Sequence, residues 1–135
     1  MSVEPSAIEI RRLTGVARRE LADAAIPGLS PDGSFEHAYV AALTAATILI
    51  RAHGERIHGP EHHRLTFVRL GELANGRWAG SANYFQHCRV RRNRSMYDQA
   101  GGVSAAEAGE LRVQAEQLLA EVRAWLRAER PGLSS

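Results

Sequence analysis

The stretch 104-SAAEAGELRVQAEQLLAEVRAWLRAE-129 decides the fold class. Its apolar residues Leu111, Ala115, Leu118, Val122 and Trp125 recur in alternating steps of four and three. A helix turns once in about 3.6 residues, so this spacing holds them on one stripe, as the seam of a bundle requires. Ser104 followed three residues later by Glu107 reads as a capping box that starts the helix. Pro131 lies just past its end.

The same spacing recurs upstream. A first helix is expected from about Ala7 to Ala25, opened by a second capping box, Ser6 with Glu9. A second runs from about Phe35 to His53, with Ser34 as N-cap and Gly54 as stop; its stripe is Phe35, Tyr39, Ala42, Leu43, Ala46, Leu49 and Ile50. A third starts at Pro60, carries Leu65, Phe67, Val68, Leu70 and Leu73, and stops near Asn75-Gly76. A fourth runs from about Ser81 to Met96. Glycine and proline cluster between these segments, and no stretch alternates as a half-buried strand does. The expectation is an all-α, antiparallel bundle of about five helices, one domain over 1–130, with a frayed tail at 131–135.

Composition narrows the function classes. The 135 residues and 44% hydrophobic content suit one globular domain with a real core. All 17 basic residues are arginine, which with abundant alanine reflects coding bias more simply than function. A net charge of +2 does not by itself point to nucleic acid. Cys88 is the single cysteine, which excludes an internal disulfide and any Cys-x-x-Cys site and fits a reducing cytoplasm. The start, 1-MSVEPSAIEIRR, lacks the apolar core of a signal peptide, and the run 38-AYVAALTAATILI-50 is short for a bilayer span. A cytoplasmic protein without a membrane role is expected. There is no phosphate-loop GKS/T and no dinucleotide glycine fingerprint, and the helices are too long for a compact helix-turn-helix.

Charge is concentrated in 89-RVRRNRSMYDQAGG-102. On a helix, Phe85, Cys88, Arg92 and Met96 share one side, so Arg92 lies on the apolar stripe. Arg89, Asn93 and Tyr97 form the neighbouring row, and Arg91 and Arg94 project elsewhere. A guanidinium in a bundle groove needs a partner, because an unpaired buried charge is costly. The partner could be a carboxylate such as Asp32, Glu36 or Glu72, or a ligand phosphate, which the planar fork of arginine fits. The spacing leaves both open.

Arg92-Asn93 followed by an aromatic, on the penultimate long helix, resembles the HEPN domain family. The second helix, 35-FEHAYVAALTAATILIRAHGER-56, is similar to the family's with its Ala-Tyr-x-Ala pattern and following Gly-x-Arg, and 61-EHHRLTFVRLGEL-73 resembles its His-containing third helix. The likeness covers about residues 32–126. It implies a helical homodimer that binds RNA or a nucleotide through Arg92, with Asn93, Arg89 and Tyr97, in a toxin–antitoxin or defence setting. It also implies a nucleotidyltransferase-type partner protein and no cofactor. In active relatives an arginine and a histidine from two subunits promote metal-independent RNA cleavage through the ribose 2′-hydroxyl. Tyr97 stands here where those enzymes carry histidine. Tyrosine, with an ordinary pKa of about 10, is a poor base at neutral pH, so binding without efficient cleavage is expected. Arg92 and Tyr97 are the catalytic candidates if cleavage survives. The alternatives are an active ribonuclease using His87, His62 or His63, and a structural interaction module.

The remaining chemistry-bearing residues read as structural. Gly59-Pro60 breaks any helix between His58 and His62, and His62 and His63 point about 100° apart on a helix, so no metal site is expected. One of that histidine pair is expected inside and one exposed. Cys88 reads as a small core residue. Trp125 is expected in the core, and Trp78 could cap the bundle or serve an interface.

Overall fold

The computed structural model describes residues 4–97 and 102–134, with the backbone alone for 95–97. Five α-helices follow in order: α1 Ala7–Ala24, α2 Pro31–Ala52, α3 His62–Gly76, α4 Ala79–Tyr97 and α5 Ala105–Glu129. Among the described residues there is no strand, and the protein is an all-α helical bundle.

Helix starts follow the capping chemistry at α1, α2 and α5, with two corrections, while α3 starts at His62, past the expected Pro60, with no side-chain cap. Ser104 and Glu107 form the complete reciprocal box of α5. At α1 only half the box exists: Ser6 Oγ accepts from the Glu9 amide at 3.1 Å, while the Glu9 carboxylate turns to Arg51 and Arg56. The second helix begins a turn earlier than its apolar stripe suggests, because Ser30 caps it and Pro31 fits its first turn. Ser34 is therefore not a cap; its hydroxyl donates to the Ala24 carbonyl at 2.7 Å and ties the end of α1 to the start of α2.

α2 is the central helix and packs against all four others. Its alanines at 38, 41, 42, 45 and 46 are buried, and such small side chains let α1 and α5 approach closely on either side. Its 22 residues are long and apolar enough to cross a membrane by length and composition, contrary to the shorter run seen in the sequence. Most of that surface is instead covered by the other helices. α1 and α2 are antiparallel, as the Arg51–Glu9 ion pair shows by joining the end of α2 to the start of α1. α2 and α5 run in the same direction: Phe35 meets Glu107 and Glu110 at one end, and His53 stacks on Trp125 at the other. Two intervening helices make that parallel pairing sterically available.

α3 and α4 form the hairpin that carries the site. Regular helix geometry ends before Leu73, and Ala74, Asn75 and Gly76 all take left-handed backbone angles, with φ of 53°, 58° and 75°. This tight reversal sends α4 back along α3. Gly71 allows the close approach: a Cβ there would lie 3.2 Å from that of Ala82.

Two aromatic placements settle or correct the sequence reading. Trp78 is buried, and its indole N–H donates to Glu121 Oε1 of α5 at 2.8 Å. Trp125 is only half-buried, at the edge of the core, with His53 stacked at 4.9 Å and the Arg130 guanidinium 5.1 Å from its ring. Leu126 takes the buried position beside it. The tail is not frayed through 133: Pro131–Leu133 forms a 3-10 turn against α1 and α5, with Leu133 packed on the core.

Candidate anion-binding cleft

The α3–α4 hairpin and the loop before it enclose an open polar cleft of about 270 Å³. Pro60, Glu61, His62, His63 and Arg64 line one side, and Arg89, Arg92 and Asn93 the other. Three arginines and two histidines against one carboxylate make it a basic surface. The structure thus brings together Arg89, Arg92 and Asn93. Tyr97 closes α4, but its side chain lies outside the described residues, as do Asp98 and Gly101.

Arg92 occupies the buried stripe with Phe85 and Cys88, and its side chain keeps 20% exposure. Of the three carboxylates considered as partners, Glu36 is the one it meets. Arg92 donates from Nε at 2.6 Å and from Nη2 at 2.9 Å to the two Glu36 oxygens, a bidentate pair between α4 and α2. Its guanidinium also lies 4.9 Å from the centre of the Tyr39 ring, a cation–π geometry. Of the two kinds of partner left open by the spacing, the carboxylate is the one present. Glu36 neutralises one edge of the fork, and the two Nη1 hydrogens and the second Nη2 hydrogen lie outside that pair.

Arg89 is the better-placed cation. Its Nε donates to Gln86 Oε1 at 2.8 Å, and Gln86 Nε2 donates to the Arg64 carbonyl at 2.9 Å. A neutral amide thus orients the guanidinium, and among the described residues no carboxylate pairs with it. Arg64 is bound at its Nε and Nη2 by Glu61. Arg91 points away to Glu107 of α5, and Arg94 is exposed.

Tyr39 of α2 stands behind two of the lining residues, His63 and Arg92, and is a residue the motif reading did not single out for the site. Its ring is fully buried, edge-on to Phe67, and its hydroxyl lies 3.0 Å from His63 Nδ1. Burial pushes its pKa up to about 12, so it stays a neutral phenol. His63 is half-buried while His62 is exposed, with their rings edge-to-face at 4.5 Å. Burial first, then the nearby His62 and Arg92, hold the His63 pKa below its ordinary value. The only sequence hint of this placement was that Tyr39 and Arg92 each lie on an apolar stripe; which stripes face each other is a tertiary matter.

His63 should leave a mark on acid stability. Above pH 6.5 the ring is neutral in both the folded and the unfolded chain and contributes no pH dependence. Below 6.5 the unfolded chain takes the proton first, so stability falls until pH passes the lower folded value. The paired carboxylates Glu9, Glu55 and Glu107, also shifted downward, act only from about 4.5 down. Urea titrations from pH 6.5 down to about 4.5 should show a shallower loss of stability in His63→Phe than in the parent protein. Parallel curves would show that the ring is not kept neutral by the fold.

Other clusters lie apart from the cleft. His58 is exposed, and His87 lines a separate pocket with Phe35, Tyr84, Cys88, Arg91, Glu107 and Glu110. Burial pushes the Cys88 thiol up to about 11, far from a reactive thiolate. Glu20, Asp23 and His37 bring their ligand atoms within 4.8 Å of one another, and two of them already satisfy each other, with Glu20 Oε2 2.7 Å from His37 Nδ1. No family model, curated protein or solved structure matches the chain.

Proposed function

We propose that the protein is a HEPN-like domain that binds RNA or a nucleotide through its phosphate in the α3–α4 cleft, without efficient cleavage. The observation that carries this reading is Arg89, a guanidinium lining a basic cleft, oriented by an amide and in no direct ion pair with a carboxylate among the described residues. Arg92 contributes through Nη1, and Asn93 adds a neutral donor. The fold-level parts of the proposal rest on the resemblance of the second helix and of Arg92-Asn93: a cytoplasmic homodimer, in a toxin–antitoxin or defence setting, with a nucleotidyltransferase-type partner.

Two observations support rival readings. His62 and His63 share the cleft with the arginines, as a metal-independent ribonuclease would need. The Arg92–Glu36 pair, conversely, suits a structural interaction module whose arginines serve its own fold.

Fluorescence anisotropy with a labelled single-stranded RNA separates the three. A charge-assisted hydrogen bond contributes about 1.5–3 kcal/mol, so Arg89→Ala should weaken binding roughly tenfold or more. The RNA should remain intact. Cleavage that disappears in Arg92→Ala would establish the ribonuclease. Binding indifferent to both substitutions, with Arg92→Ala merely less stable, would establish the structural module.

A further inference from the structure

We infer that Tyr39 fixes His63 in the tautomer with its proton on Nε2, so that this imidazole serves the cleft as a neutral hydrogen-bond donor to a phosphate oxygen and is withheld as a base. The inference rests on the reading of the cleft as a phosphate site.

The number of hydrogens available at this contact decides the tautomer. The Tyr39 side chain is fully buried, and among the described residues its hydroxyl has one hydrogen-bond partner, His63 Nδ1. A phenol has one hydrogen to give. With the histidine proton on Nδ1, that proton would point at the phenol oxygen, and the phenol hydrogen would be left inside the core without an acceptor. A buried donor without a partner costs more than a hydrogen bond contributes. Ionising the phenol does not resolve the conflict, since burial has made it a weaker acid than usual. The phenol therefore donates to Nδ1, and the single proton of the neutral ring sits on Nε2.

Doubly protonating His63 meets the same obstacle, because Nδ1–H would again displace the phenol hydrogen. The charges around it add to this. Arg92 and Arg89 of α4 and the neighbouring His62 oppose a second positive charge. Glu36 of α2 favours it, yet that carboxylate is already engaged by Arg92 at both oxygens.

His62 takes the opposite form. Its Nδ1 lies 3.1 Å from the Gly59 carbonyl oxygen, which can only accept, so the proton is on Nδ1 and Nε2 carries the lone pair. Adjacent histidines thus offer a donor and an acceptor. Of the two, His63 suits an anion, and a base would have to be His62. Tyr39 acts through His63 and is a positioning residue.

Long-range proton–nitrogen correlation spectra of the uniformly labelled full chain at neutral pH report the tautomer directly. His63 should show a protonated Nε2 and a bare Nδ1, and its Nε2–H should move on titration with inorganic phosphate. Tyr39→Phe should let the tautomers mix and weaken phosphate binding severalfold, in the range of one neutral hydrogen bond. His63→Gln, which can keep an N–H in a similar place, should bind phosphate better than His63→Phe. A proton on Nδ1 in the parent protein would overturn the inference while leaving the Arg89 site standing. So would phosphate that binds without moving the His63 signals. Phosphate binding that ignores Arg89→Ala would bring down the underlying reading instead, whatever the tautomer.

Discussion

Arg51→Ala is expected to lower the unfolding free energy by about 3 kcal/mol and the melting temperature by roughly 10 °C. The side chain is 3% exposed at the C-terminal end of α2, where positive charge is also favoured by the helix dipole. Nε and Nη2 lie 3.0 Å from Glu9 Oε1, and Nη1 donates to the Glu55 carbonyl at 2.8 Å. Truncation leaves Glu9, itself largely covered, with the exposed Arg56 as its remaining ion-pair partner among the described residues. It also removes the Nη1 donor from the Glu55 carbonyl. Breaking such a pair costs more than the pair contributes, because one desolvated charge remains. Arg51→Met combined with Glu9→Leu should recover much of the loss.

The pH dependence gives a second readout. The hydrogen bond from Arg51 is the largest influence holding the Glu9 carboxyl below its ordinary value. A carboxyl lowered by folding contributes stability above about 4.5 that is lost as pH falls through its folded value. Arg51→Ala should therefore lose more against the parent at neutral pH than in strong acid. Chemical denaturation at both conditions checks this. An equal deficit at both would mean that lost packing dominates and the charge pair does not.

Trp78→Ala is expected to cost about 4 kcal/mol, within the range for deleting a buried aromatic. The indole is 2% exposed, and it links the start of α4 to Glu121 in the middle of α5. Arg77 covers its ring at 4.8 Å. Deleting so large a buried side chain beside the α3–α4 reversal leaves a cavity that the structure can refill only in part. Trp78→Phe keeps most of the volume and loses only the bond to Glu121, so it should cost about 1–2 kcal/mol. Guanidinium unfolding of both variants tests the ordering. A neutral Trp78→Ala would show that the indole adds nothing to the other contacts that hold α4.

Much of the bundle was legible because its causes are local. The α5 seam follows from residue spacing alone, and the Ser104–Glu107 box from a three-residue offset. The same logic faltered where a side chain had a stronger distant partner: Glu9 left its box for Arg51, and Ser34 left a capping role for the Ala24 carbonyl. Neither distant partner can be inferred from a helix considered by itself. The start of α2 was misplaced for a related reason, since its first turn is polar and only Ser30-Pro31 marks it.

What the chain determined by itself is the helical periodicity, the places where helices stop, and the position of Arg92 on a buried face. These depend on neighbours a few residues apart, whose geometry every helix repeats. Which faces meet was decided only in three dimensions. The parallel pairing of α2 with α5, the choice of Glu36 over Asp32 or Glu72, and the placing of Tyr39 beneath His63 join residues 24 to 75 positions apart. Contacts at such separations depend on how all five helices share one core, and no pattern along a single helix encodes that.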